Sequence, residues 1–203
     1  MSRGLGDVYK RQVVRAAIQL LSCNPSDSAE ILIKASQHHN VQTRRETASS
    51  LQRIASDDFR LALSLMDTLL ADKDSDVRVI SATYLASLAR SDRHLFIEKA
   101  KPALERSEVR LTKRIVDSAI REYLSSDSFD RAGLLPLAWA SSDQSTKSKL
   151  AGLIIQQSEE NYEGFADTCR RFREIGNDTF SDLKSFILRR DSSMEERLSK
   201  LQD

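Results

Sequence analysis

The side chains of this 203-residue chain that could do chemistry are mostly cations. Arg44, Arg45, Arg53, Arg78, Lys113, Arg114, Arg121, Lys147 and Lys149 recur at polar positions of helix-forming segments. Cations lined up along one face could hold phosphates or an acidic partner peptide. Glu46, Asp117 and Glu122 interrupt the series, and no aromatic residues are interleaved to stack on bases. A mixed, solvated helix face is the plainer account of the same pattern. Nothing points to catalysis: there is no glycine-rich phosphate loop, no Gly-x-Ser-x-Gly and no His-Glu-x-x-His. His38, His39 and His94 have no metal-ligand spacing, and the neighbouring pair at a helix end would point in different directions. Cys23 and Cys169 are too few and too far apart for a disulfide framework. Cys169, at helical spacing from Phe165 and Phe172, reads as core packing. No catalytic residue, cofactor or metal is expected.

The elements that must position these residues are helices. Hydrophobic residues make up 40% of the chain and charged residues 30%, enough for a core and too apolar for a disordered chain. There are only 6 glycines and 3 prolines. A sandwich or barrel needs turn residues at intervals of roughly 8–12 positions, which this supply cannot meet. No apolar run approaches the ~18 residues of a membrane-spanning helix. The expectation is an all-α fold.

A repeat runs along the chain. Asp74-Ser75-Asp76-Val77-Arg78 precedes Ile80, Ser81, Tyr84, Leu85 and Leu88, which share one helical face. Ser107-Glu108-Val109-Arg110 precedes Thr112, Val116, Ala119, Ile120 and Tyr123 in the same way. His39-Asn40-Val41-Gln42 leads to Ala48, Leu51 and Ile54, and Gln144-Ser145-Thr146 to Leu150, Leu153 and Ile154. Val14-Arg15, with Ile18 and Leu21, looks like part of an earlier unit. With anchors at 41, 77, 109 and 146, the spacings are 36, 32 and 37. An amphipathic segment precedes each anchor, at 28–37, 58–71, 92–105 and 131–141. The unit is therefore a helical hairpin, which buries its apolar face only by stacking on neighbours. The expected core includes Leu51, Ile54, Val77, Leu85, Leu88, Val109, Val116 and Ile120.

Helix-start signals stand at Asp27-Ser28-Ala29-Glu30 and Ser192-Ser193-Met194-Glu195. Gly176, after a helix over 161–175, suits a left-handed C-cap. Phe180, Leu183, Phe186 and Ile187 then form another apolar stripe, and a last helix from 193 carries Leu198 and Leu201. Residues 158–203 would hold a fifth hairpin and a capping helix, after helical repeats over 13–157.

The stretch Leu69-Leu70-Ala71-Asp72-Lys73-Asp74-Ser75-Asp76-Val77-Arg78, with Ala82, Leu85 and Leu88, resembles a HEAT repeat. Residues 102–110, with Pro102 in the first helix and Val109-Arg110 after the turn, match that pattern again. The resemblance is good over 58–124, fair over 26–57 and poor beyond 130. Gln42 stands where the pattern has arginine, and the fourth unit has neither the valine nor the arginine. The spacing is shorter than the ~40–47 residues of that family and nearer the ~34 of tetratricopeptide repeats. The tetratricopeptide Trp, Leu-Gly and Tyr signature is absent, and the one tryptophan is Trp139. The HEAT resemblance implies a right-handed α-solenoid of about five stacked hairpins whose second helices line a concave face. On that face a binding strip would comprise Arg45, Arg53, Arg78, Lys113, Arg121 and Lys149. Some HEAT-like folds are DNA alkylation-repair glycosylases, with an aspartate near a tryptophan, and Trp139 and Asp143 stand four apart. Packing of Trp139 in a hairpin core and capping of the next helix by Asp143 explain the same pair.

Residues 2–12 resemble the translation of a sequencing-library adapter, and such scars are set aside in reading a fold. On that reading the natural gene begins upstream and residues 13–203 are the C-terminal part of a longer protein. The remainder carries 28 basic against 29 acidic groups, a net charge of −1, which gives no bulk attraction to nucleic acid or anionic membrane. The expected role is a non-enzymatic scaffold or adaptor that holds a protein or extended peptide. It would be monomeric and cytoplasmic, with a nucleic-acid or phosphate-binding protein as the alternative.

Overall fold

A computed structural model describes residues 3–125, 130 and 132–201, with side chains from residue 11 onward. Every element among these residues is helical. No described helix is long and apolar enough to cross a membrane. The chain divides into two compact units, Met1–Ser87 and Leu88–Asp203.

The first unit contains α1 (Arg3–Leu20), α2 (Pro25–Ser36), α3 (Val41–Ser49), α4 (Leu51–Asp57), α5 (Phe59–Leu70) and α6 (Ser75–Ser81). A 3₁₀ turn, Ala82–Tyr84, leads into α7 (Leu85–Ser91). Helix α3 packs on both α1 and α6, while α2 packs on α5, so two layers of helices face each other. The α1 helix runs without a break through the adapter-like residues 3–12.

The second unit contains α8 (Arg93–Glu105), α9 (Val109–Ile115), a π turn (Val116–Ile120) and α10 (Arg121–Ser125). It continues with α11 (Leu134–Ala140), α12 (Gln144–Glu160), α13 (Tyr162–Ile175), α14 (Asn177–Arg190) and α15 (Met194–Ser199). Here α11 packs on α8 and α13, and α12 packs on α14.

Short polar side chains start most of these helices. Asn40, Asp58, Asp74, Asp92, Asp143 and Asn161 each accept a hydrogen bond from a backbone N–H of the first turn. Such a cap is worth about 1 kcal/mol. The caps also fix which residue enters the core first. The third residue of each repeat's second helix is Thr43, Val77, Leu111, Thr146 and Thr179, at spacings of 34, 34, 35 and 33. Four residues further on, Thr47, Ser81, Ile115, Leu150 and Leu183 are all fully buried. The same is true eight residues on, at Leu51, Leu85, Ala119, Ile154 and Ile187.

This frame corrects the anchors read from the sequence. Val109 is 46% exposed and is not core. The α9 helix begins at Val109, with Glu108 in the cap position, so the third helical residue is Leu111, which is fully buried instead. The other expected core residues, Leu51, Ile54, Val77, Leu85, Leu88, Val116 and Ile120, are buried. Helix α2 begins at Pro25 with Asn24 as its cap, three residues before the expected start, because proline is preorganised for the first helical position. Ser193 caps α15 in position, but its side chain makes no capping bond; Asp191 instead accepts from the Ser193 N–H and hydroxyl. Gly176 has φ 162°, extended rather than left-handed. The left-handed positions among the described residues are Ser107, φ 55°, just past α8, and Gly133, φ 69°, just before α11.

Candidate functional site

Four of the six cations that suggested a binding strip are engaged by a carboxylate or a carbonyl. In the first unit Arg45 lies 3.1 Å from Asp74 and 2.6 Å from Asp76, both in the next turn. Arg78 donates to the Asp72 carbonyl. Arg53 is exposed, with no ion pair among the described residues. In the second unit Lys113 lies 4.0 Å from Asp143, the relation that Arg45 has to Asp74: each reaches the cap of the next second helix. Lys149 pairs with Asp117 at 2.6 Å. Arg121 is exposed and has no ion pair among the described residues. The predicted strip is thus two open arginines, one per unit, among cations already engaged by carboxylates or a carbonyl.

Two cations do structural work that the strip reading missed. Arg44 is 5% exposed and makes a bidentate pair with Asp72, at 2.6 and 3.0 Å. Its Nη1 also donates to the His38 and His39 carbonyls at the end of α2. The hydrogen bond to Asp72 raises the Arg44 pKa further. Lys147 donates to Asp182 at 2.7 Å and stands over the Trp139 ring. That hydrogen bond, with one from the Trp139 indole at 3.0 Å, holds Asp182 below its ordinary pKa.

Trp139 is 1% exposed and meets Phe172 and Phe186 edge-on, so its face cannot stack on a base. Asp143 accepts from the Thr146 N–H at 2.7 Å as the α12 cap, and that interaction lowers its pKa. The buried Cys169 thiol is pushed up to about 12 by desolvation, which makes it unreactive. Asp130 is fully buried and accepts from the Tyr123 hydroxyl and the Leu134 and Leu135 N–H groups. Burial raises the pKa of both Asp130 and Tyr123. The three donors come from one tyrosine and the start of α11, so this node fixes where α11 begins. Among the described residues no group of His, Cys, Asp and Glu could hold a metal ion.

The concavity of most chemical interest lies in the second unit. It is lined by Val116 and Asp117 of the π turn, by Arg121, by Lys149 and Gly152 of α12, and by Arg190 at the end of α14. Arg121 and Lys149 belong to the predicted strip; Gly152 and Arg190 do not. A glycine in the interior of an apolar helix was the one sequence signal that could have drawn attention here, since it costs about 1 kcal/mol relative to alanine. No family model, curated protein or solved structure matches this chain.

Proposed function

We propose that the chain is a non-enzymatic interaction module, a HEAT-like α-solenoid whose hairpins present their second helices to a protein or extended peptide. The observation that carries this reading is the recurrence at spacings of 34, 34, 35 and 33 of one helical frame, from Thr43 to Thr179, whose positions four and eight residues further on are buried each time. Hairpins built on one frame complete one another's cores and leave long open faces, suited to extended ligands rather than to small substrates. Arg45, Lys113 and Lys149 each lie within 4.0 Å of a carboxylate, which lowers the net positive charge available to the alternative, a phosphate-binding strip.

Two measurements test the reading. Fluorescence anisotropy with labelled duplex DNA at low and physiological salt should give no micromolar binding; tight, steeply salt-dependent binding would replace the reading with the alternative. A photo-crosslinking residue at position 53, on a second helix, should capture a discrete protein that the same residue at position 33, on a first helix, does not. Equal capture from both positions would refute it.

A further inference from the structure

The second-unit cleft has a geometry that packing does not require. It encloses about 450 Å³, open to solvent. Lys149 is neutralised by Asp117. Arg190 gives one donor to the Ser148 carbonyl at 3.2 Å, out of the five a guanidinium carries. Arg121 gives none to any described residue. Two arginines with donors to spare therefore line one cleft.

Local features put both of them there. A Cβ at position 152 would lie 2.9 Å from the Arg190 Cζ, so a side chain there would push the flexible guanidinium off α12 without straining the backbone. The π turn adds one residue to the second helix of its hairpin. Up to Ala119, within the turn, the frame holds: Ile115 and Ala119 fall four and eight residues after Leu111, as at the corresponding positions of the other second helices. After it, burial falls on Tyr123 and Leu124 rather than eleven residues on, where Ile54 and Leu88 sit in the two preceding repeats. Arg121 thereby takes the place held by Gln52 in the first full repeat, where Gln52 bonds Ser87 of the next hairpin. π turns often mark functional sites.

We propose that this cleft binds a carboxylate side chain of a partner peptide between Arg121 and Arg190, with an aliphatic neighbour of that side chain against Leu124 and Leu153. Leu124 and Leu153 line the adjoining hollow, which shares Arg121 with the cleft. Glu160, which has no cationic partner among the described residues, stands in that hollow, where it would repel the successive phosphates of a nucleic acid. A guanidinium pair matches a single carboxylate, through charge-assisted and bidentate hydrogen bonds. This site rests on the interaction-module reading and names the chemistry of its partner.

The probe is the peptide acetyl-Gly-Leu-Glu-Leu-Gly-amide, with its glutamine analogue as control, titrated into the full chain. The arginine Nε–H resonances are read by NMR. The glutamate peptide should move the Arg121 and Arg190 signals, and the glutamine analogue should bind at least ~10-fold more weakly, a difference of about 1.4 kcal/mol. Arg121→Gln should weaken binding by a similar factor. Gly152→Ala keeps every charge and removes a mid-helix glycine; it should weaken binding as much while leaving the melting temperature unchanged or higher. Equal binding of the two peptides, shifts confined to other arginines, or wild-type binding by Gly152→Ala would each overturn the site. So would DNA that moves these resonances when the glutamate peptide does not. Selective crosslinking from position 53 with no effect of Arg121→Gln would remove this site and leave the interaction module standing.

Discussion

Removing the Arg44 guanidinium should destabilise the first unit more than any other single change on its surface layer. Arg44 and Asp72 have side-chain exposures of only 5% and 6%, and their two-point contact joins α3 to the turn before α6. In Arg44→Met the Asp72 carboxylate keeps just the Asp74 N–H, at 2.8 Å, among the described residues. The His38 and His39 carbonyls lose a donor as well. Breaking a buried pair from one side costs about 3–5 kcal/mol, because the stranded charge stays desolvated. That is a large share of a domain's total of about 5–15 kcal/mol. For a chain of this size it corresponds to about 6–20 °C in melting temperature. The assay is urea titration followed by hydrogen exchange at the α3 and α5 amides. Asp72→Asn on top of Arg44→Met removes the stranded charge and keeps an acceptor for the Asp74 N–H. The double variant should therefore be at least ~1.5 kcal/mol more stable than the sum of the singles, the sign of a direct pair in a mutant cycle. A cost under ~1 kcal/mol for Arg44→Met, or purely additive singles, would refute the reasoning.

Leu85→Asp places a charge at a fully buried position and should cost more than ~4 kcal/mol, abolishing the cooperative melt of the first unit; an unchanged melting curve would sink the packing frame. Ser107→Gly should raise stability by about 0.5–1 kcal/mol, since serine at φ 55° bears a strain that glycine lacks; a loss on scanning calorimetry would contradict that account. Asp182 has a lowered pKa through its hydrogen bond from Lys147, so its contribution is present above the ordinary carboxylate range and is lost as pH falls through the lowered value. Lys147→Met should therefore melt earlier than the parent at pH 7, and the gap should narrow as the pH falls below the ordinary carboxylate range, as followed by Trp139 fluorescence. A gap independent of pH would assign the effect to packing alone.

The sequence by itself determined that the chain is helical, where most helices lie, and which residues form most of the core. Those properties depend on neighbours within four positions: the apolar spacing that puts Leu51 with Ile54, and the caps at Asp74 and Asp143. It misread Val109 because the cap at Glu108, not the valine of the repeat pattern, sets the register of α9. It misread Gly176 because a glycine permits left-handed geometry without requiring it. Only the tertiary structure decided what the cations do. Arg44, Arg45, Lys149 and Lys147 find partners 28, 29, 32 and 35 residues away, one repeat along. The same holds for the cleft, where Gly152 makes room for a guanidinium 38 positions later and Arg121, just after a π turn, lines the same hollow. Helical periodicity fixes the direction of a side chain on its own helix. What that side chain meets is fixed by the packing of the next hairpin, which involves contacts no local pattern encodes.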